Sequence, residues 1–483
     1  MLARLALLVV LVCALHAASP PRAAAAWSHI RVLDLGRGIE YVPDPDAREA
    51  AWDWYATHVD AMEANGPRFA SEMTSRNEAI RTFAYRIDLT ACQHVGCVST
   101  NEVDEEAADL PESYYMHFSE TTTLRFVGLD GETVDTVTIP GCPPSQPVRK
   151  DCRVQLWMWD DARWAFNVND PGFQAWQADR LVESLSSDQD GLLLDEHASS
   201  ISGNWYWDRQ TFAVSGGGVR ELDGRRPGAA ASEIYQPMVT SWLTVLRARA
   251  AEAGKVVLVN AAGWLLNEPM IDQVMATRGA FTEFLHRPDQ FDGGSDQYER
   301  FIELMKELAA VGGTADLSGT LCYEGPSGYD AGNYGSAAAR YRMWRLASYY
   351  LVREPEGSPG TIYFNPGLCV RPGSSDPLAF TEEWLPAYEI GFGSPDGEVE
   401  VLERGSYADG SRTCRYEVFS RRYTNGLVLV RTKDSSECTN WGDASAATVS
   451  LPREMRILRE DGTLSDPTST VTIRNAEALV LVD

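Results

Sequence analysis

Short apolar runs, each closed by a carboxylate or an amide, recur along this chain with helix-like segments between them. They read Gly191-Leu192-Leu193-Leu194-Asp195-Glu196, Val256-Val257-Leu258-Val259-Asn260, Ala280-Phe281-Thr282-Glu283, Gly319-Thr320-Leu321-Cys322-Tyr323-Glu324 and Thr361-Ile362-Tyr363-Phe364-Asn365. A strand that is apolar throughout is covered on both faces, as in a parallel sheet wrapped by helices. A polar residue at its carboxyl end stands where (β/α)8 barrels place their active sites. Between the runs, Ser232 to Ala253, Ser295 to Val311 and Ala337 to Val352 carry helical periodicity, and Asn267-Glu268-Pro269 opens a shorter helix.

Upstream the pattern weakens. His58-Val59-Asp60-Ala61-Met62 predicts a first strand, Thr82 to Asp88 a second and Trp164 to Val168 a third, so Asp195 closes the fourth and Glu283 the sixth. Asp170-Pro171 combines an N-cap residue with proline at the first turn and predicts a helix start. Leu89 to Arg163 is too long for a plain connection; it holds four cysteines and an Asp130-Gly131 hairpin signal, and predicts an insertion over the barrel mouth. Beyond Ser394-Pro395-Asp396-Gly397 the period becomes two, and Asn425-Gly426 marks a tight turn. The expected fold class is therefore α/β, a TIM barrel over residues 27–394 with an insertion near 89–163, followed by a C-terminal antiparallel β-sandwich domain over 395–483.

The first 26 residues read as a signal peptide, with Arg4 before the apolar stretch Leu5 to Leu15 and a small-residue site at Ala24-Ala25-Ala26. Secreted or periplasmic residence is the expectation, with no membrane insertion, because no later run approaches a bilayer span. Acidic residues number 69 against 42 basic ones, a net charge of −27, which argues against nucleic acid or an anionic membrane as partner. Such a charge serves solubility, and would also suit a cationic polymer such as an amino sugar. Of nine cysteines, Cys13 lies in the leader; the even remainder in an exported chain implies disulfides. Sequence proximity suggests Cys92–Cys97, Cys142–Cys152, Cys322–Cys369 and Cys414–Cys438. No Asn-x-Ser/Thr sequon is present.

Glycosidic bond cleavage uses two carboxyl groups flanking the scissile bond, one as acid and one as nucleophile or base. Asp195 and Glu283 would project from one rim of the barrel, and strand alternation lets only one of Asp195 and Glu196 point inward. Asp195 continues the strand and is the expected inward residue, leaving Glu196 for the adjacent loop. Asn204-Trp205-Tyr206-Trp207 offers aromatic faces for sugar stacking, and Trp264, Trp157 and Trp159 could extend them. Trp344 and Trp384 lie in helix-like sequence and read as core. Asp195-Glu196-His197 and Glu283-x-x-His286 would also suit a metal, but zinc-site patterns are missing and no metal or cofactor is expected. Gly216-Gly217-Gly218 lacks a following helix start and reads as loop flexibility rather than a phosphate cradle.

The order Asn167 to Trp176 (Asn-x-Asn-Asp-Pro-x-Phe-x-x-Trp), Asp190-Gly-Leu-Leu-Leu-Asp195, Val259-Asn-Ala-Ala-Gly263, Thr282-Glu-Phe284 and Phe419-Ser-Arg-Arg-Tyr-Thr-Asn-Gly-Leu-Val-Leu-Val430 resembles glycoside hydrolase-like (β/α)8-barrel proteins related to the endo-α-1,4-polygalactosaminidases. The likeness runs from about Asp53 to Asp483. It implies a secreted glycoside hydrolase in carbohydrate metabolism, with Asp195 as nucleophile and Glu283 as general acid/base. Glu196, Asn260, Glu324, Asn365, Trp205, Trp207 and Trp264 would contact a carbohydrate substrate, and the chain is expected to act as a monomer. The alternative is a non-catalytic carbohydrate-binding or cell-surface protein on the same barrel, which needs the aromatic platform but not the paired acids.

Overall fold

A computed structural model describes residues 30–35, 39–92, 103–104, 109–128, 133–158, 161–195, 209–226, 229–260, 268–281, 294–317, 336–355, 357–368, 378, 380–381, 384–432, 434–435, 437–438 and 442–483. The expected signal peptide, residues 1–26, lies outside them. Eight parallel strands run in sequence order: β1 (Leu33–Asp34), β2 (Ala61–Glu63), β3 (Arg81–Ile87), β4 (Gly191–Asp195), β5 (Val256–Asn260), β6 (Gly279–Phe281), β7 (Thr314–Leu317) and β8 (Thr361–Phe364). A parallel bridge between Val32 and Phe364 joins the last strand to the first and closes the barrel.

Among the described residues, the helices between them are α1 (Pro45–His58), α2 (Pro67–Arg76), α3 (Pro171–Glu183), α4 (Ala229–Glu252), α5 (Glu268–Thr277), α6 (Ser295–Ala310) and α7 (Ser336–Val352). Their starts follow local chemistry. Asp44 caps α1 through Ala47 N at 2.8 Å and Asp170 caps α3 through Phe173 N at 2.9 Å, each ahead of a proline at the first turn. Period two sorts each barrel strand. Leu33, Ala61, Phe83, Leu193, Leu258, Phe281 and Tyr363 fill the barrel interior, while Leu192, Leu194, Val257, Val259 and Ile362 face the helix layer. Gly191 at the foot of β4 is a close-approach position, since a Cβ there would stand 2.1 Å from the Val256 carbonyl oxygen.

Strand numbering differs from the sequence expectation. Leu33–Asp34, upstream of the first strand expected, is the first strand, which moves Ala61–Glu63 to second and Arg81–Ile87 to third. Trp164 belongs instead to Asp161–Ala165, an antiparallel strand outside the barrel that pairs with Thr90–Cys92 and Gln155–Met158. The seventh strand is Thr314–Leu317, upstream of the Gly319 run, whose residues lie outside the described set. The fourth to sixth and the eighth stand where expected.

The long connections after β3 and β4 are built as one layer. Thr122–Gly128 pairs with Thr133–Ile139 on one side and with Arg209–Ser215, from the loop after β4, on the other. The three-glycine run sits against this layer: Gly216 has φ +69°, a Cβ there would meet the Thr121 carbonyl at 2.0 Å, and Ser119 N donates to Gly218 O at 2.7 Å. The run is thus a close-approach segment rather than a free hinge.

The C-terminal strands are β9 (Glu400–Asp409), β10 (Arg412–Tyr423), β11 (Gly426–Val430), β12 (Ala447–Ile457), β13 (Thr468–Ile473) and β14 (Ala478–Val482), antiparallel in the order β9-β10-β11-β14-β12-β13. The tight turn falls on Thr424-Asn425, because Tyr423 pairs with Gly426. β12 pairs with β14 only at Arg456 and Ile457 and with β13 before that, so the sheet folds over. Leu427, Leu429 and Leu481 then pack against Val449, Val471 and Ile473 as two layers. The other face of β11, Val428 and Val430, joins the barrel core. There Trp344 of α7, fully buried, donates to Arg431 O at 3.3 Å, and Tyr423 donates to Tyr350 O at 2.5 Å. Trp384 is half-buried among Trp54 and Tyr388. Both tryptophans are packing residues. Among the described residues, no helix is long and apolar enough to cross a membrane.

Candidate active site

Asp195 is the last residue of β4. It follows Leu193 on the interior face and is nearly buried, at 6% exposure. Two neighbouring strands hold it. Asn260, ending β5, donates from Nδ2 to Asp195 Oδ1 at 2.5 Å, and Tyr85 of β3 donates its hydroxyl to Oδ2. The register explains the meeting, since Leu193 pairs with Tyr85, Asp195 with Ile87, and Leu194 with Val259. Each partner stands on the interior face of an adjacent strand, and the tyrosine ring spans the distance of one residue pair up the barrel wall.

Tyr85 is itself fixed by the segment that leaves β2. Asn65 Oδ1 accepts from Tyr85 N at 2.7 Å, and Asn65 Nδ2 donates to Glu63 Oε1 at 2.6 Å. Glu63 ends β2 on the same face as Ala61, so a second acid stands on this wall. Across the barrel, Asp316 of β7 pairs in register with the interior residue Tyr363 and accepts from Asn365 Nδ2 at 3.2 Å. Asn365 also receives Gly367 N on Oδ1 at 2.9 Å, which uses the amide to shape the turn after β8. Burial pushes the Tyr363 hydroxyl up despite the opposing Arg81 guanidinium, so it remains a neutral plug in the interior.

Of the residues expected at the site, Asp195 and Asn260 are in contact, and Asn365 stands on the opposite wall with Asp316. Glu283, Glu196, Glu324, Trp205, Trp207 and Trp264 lie outside the described residues, as does Trp159; Glu283 follows Phe281, the inward-facing end of β6, by two positions. The sequence reading missed Tyr85, Glu63 and Asp316. Alternation through Arg81, Phe83, Tyr85 and Ile87 was the signal for the first; the brevity of β2 and β7 hid the others.

Two expected disulfides are formed, Cys142–Cys152 and Cys414–Cys438. Cys92 is disulfide-bonded as well, while Cys97, Cys322 and Cys369 lie outside the described residues. The one potential metal cluster among the described residues is Cys142, Asp151 and Cys152, and its two sulfurs are already bonded to each other.

No protein-family model and no curated protein matches the chain. Among solved structures, Amy13B of Eubacterium rectale is similar at 11% identity and TM-score 0.45, over 94% of this chain and 94% of that one. Trehalose-6-phosphate hydrolase of Bacillus licheniformis is similar at 10% identity and TM-score 0.44, over 95% of this chain and 99% of that one. Ega3 of Aspergillus fumigatus, solved in complex with galactosamine, is similar at 10% identity and TM-score 0.33, over 72% of this chain and 94% of that one. These likenesses are distant, and the barrel assignment rests on the order of its own eight strands and the bridge that closes them.

Proposed function

We propose that the chain is a glycoside hydrolase acting on an oligo- or polysaccharide at the carboxyl rim of its barrel. The observation that carries this reading is the Asp195 carboxylate, interior-facing and nearly buried, with Tyr85 and Asn260 donating to its two oxygens. Such donors fix the rotamer of a carboxylate, which a nucleophile or charge stabiliser at an anomeric carbon requires. In this scheme Asp195 attacks, and Glu283, just beyond β6, protonates the leaving oxygen and then activates water. Asn260, Asn365, Glu196 and Glu324 bond sugar hydroxyls, and Trp205, Trp207 and Trp264 stack on ring faces. A carboxyl separation of about 5–5.5 Å would make the enzyme retaining, and about 6.5–9.5 Å inverting. The disulfides support an oxidising compartment and hence export.

The test is reducing-end release from a panel of α-linked polysaccharides, including de-N-acetylated galactosamine polymers, with Asp195→Asn as control. Release by the wild type alone is expected. Tight binding to a polymer that neither form cleaves would replace this reading with the carbohydrate-binding one.

A further inference from the structure

A buried charge cluster locks together the connections that follow β3 and β4. His117, in the connection after β3, is fully buried. Its Nδ1 stands 2.9 Å from Glu221 Oε1 and its Nε2 stands 3.0 Å from Glu112 Oε1. Glu112 belongs to the 3-10 turn Glu112–Tyr114 of the same connection, and Glu221 to the turn Arg220–Leu222 in the connection after β4. An ionised carboxylate only accepts, so both ring nitrogens must donate, and only the imidazolium carries two N–H groups. Arg153 adds a second cation, donating to Glu112 Oε1 from Nε at 2.6 Å and to Oε2 from Nη2 at 2.5 Å, with its guanidinium 3.5 Å from the Tyr115 ring centre. The charges facing the ring are therefore Glu112, Glu221 and Arg153. Arg220, beside Glu221, directs its guanidinium to the carbonyls of Cys142 and Gln146 at 3.3 and 2.9 Å.

The backbone repeats this joint. His117 N donates to Glu221 Oε2 at 2.8 Å, and Arg220 N donates to His117 O at 2.9 Å. On the other side, Phe118 exchanges backbone bonds of 2.8 Å with both members of the Cys142–Cys152 disulfide. One histidine thus stands between a stapled platform and the segment 216–226 laid on it.

We propose that His117 is a proton-operated latch, closed as the imidazolium and released as the neutral ring, which fastens segment 216–226 to the connection after β3. A neutral ring keeps one donor, so one of the two carboxylates would face a lone pair across a buried contact. Both segments spring from the carboxyl ends of β3 and β4, the strands that carry Tyr85 and Asp195. The latch therefore joins the two connections that leave the strands of the proposed site; any bearing on sugar cleavage rests on the glycosidase reading, while the latch itself does not.

The sign follows from the surroundings. Burial disfavours the imidazolium, but the hydrogen bonds to Glu112 and Glu221 outweigh it and raise His117 above its ordinary value. Burial also opposes charge on Glu112, but the bonds from Arg153 and His117 win and hold its carboxyl down to about 2. The closed form thus binds the His117 proton more tightly than the open form. Closure is fully favoured below the open-state pKa and lost as pH rises through the closed-state pKa. Between the two, the open-to-closed ratio climbs by about tenfold per pH unit.

Amide hydrogen exchange on the full chain between pH 6 and about 10, corrected for intrinsic rates, tests this without any sugar, so its outcome does not depend on whether the barrel cleaves one. Exchange in 216–226 is expected to accelerate by about tenfold per pH unit across the window, while β5, buried in the barrel, stays constant as an internal control. His117→Gln is expected to exchange fast at every pH. A wild-type profile that stays flat after correction overturns the latch. Glu221→Gln supplies a second arm should His117→Gln fail to fold: its opening midpoint is expected to move to lower pH, and an unmoved midpoint overturns the proposal.

Discussion

The strands β4, Gly191–Asp195, and β11, Gly426–Val430, both bury every residue, yet the polar group at the end of each is handled in opposite ways. Asp195 at the end of β4 is held from across the fold, by Tyr85 and Asn260, which lie 110 and 65 positions away. Arg431, just after β11, is held locally by Asp434, three positions on, at 2.8 Å. It also donates to the carbonyls of Ser445 and Ile473 and lies 4.1 Å from the Tyr416 ring centre. Burial outweighs the bonds from Arg431 and pushes the Asp434 carboxyl above its usual range. The C-terminal ion pair orders a turn. A carboxylate held by a hydroxyl and an amide on neighbouring parallel strands is instead aimed at the rim, where chemistry can use it.

Substitutions on the two strands separate these roles. Asp195→Asn is expected to cut sugar release by roughly 10³-fold or more while leaving the thermal midpoint nearly unchanged; a large fall in midpoint with activity retained would make Asp195 structural. Asp434→Ala is expected to do the reverse, costing about 3–5 kcal/mol in denaturant unfolding because Arg431 is left buried and unpaired. Replacing both, Arg431→Met with Asp434→Leu, should recover most of that loss; if the double variant is as unstable as the single, the pair is a net contributor. Removing Cys414–Cys438, with 24 positions between its ends, should cost about 3.4 kcal/mol. Removing Cys142–Cys152, with 10 positions, should cost about 2.7 kcal/mol, a ranking that paired Cys→Ser unfolding curves would check. Tyr85→Phe should give the smallest effect, about 1 kcal/mol, appearing as roughly a fivefold lower kcat at constant KM. An equal rise in KM would mean that Tyr85 binds substrate instead of positioning Asp195.

The runs over β4, β5 and β8 were legible because each is buried on both faces, with no charged residue inside it, and bounded by a polar residue. β1 was not: Leu33–Asp34 is too short to show any period, and its place comes from pairing with Ala61 and Met62. In β7 the polar Asp316 interrupts a four-residue stretch, so the longer apolar run at Gly319 drew the prediction downstream. Trp164 misled in another way. Its segment is strand-like, but it pairs antiparallel with Thr90–Cys92 in the connection after β3, and β-propensity does not say which sheet a strand joins.

By itself the chain determined what depends on neighbours a few residues apart. Helix starts at Asp44-Pro45 and Asp170-Pro171 follow from a side-chain oxygen reaching the third amide along. The change from doubly buried parallel strands to an antiparallel module follows from the local period, and the disulfides between near cysteines follow from short loops. The tertiary structure alone decided which strands stand side by side. The Tyr85–Asp195–Asn260 group needs the register of three strands, and the His117–Glu221 contact spans 104 positions between two connections. Alternation says which face a side chain takes, but only closure of the sheet brings two faces together. That closure is set by packing summed over the whole barrel, and no local segment encodes it.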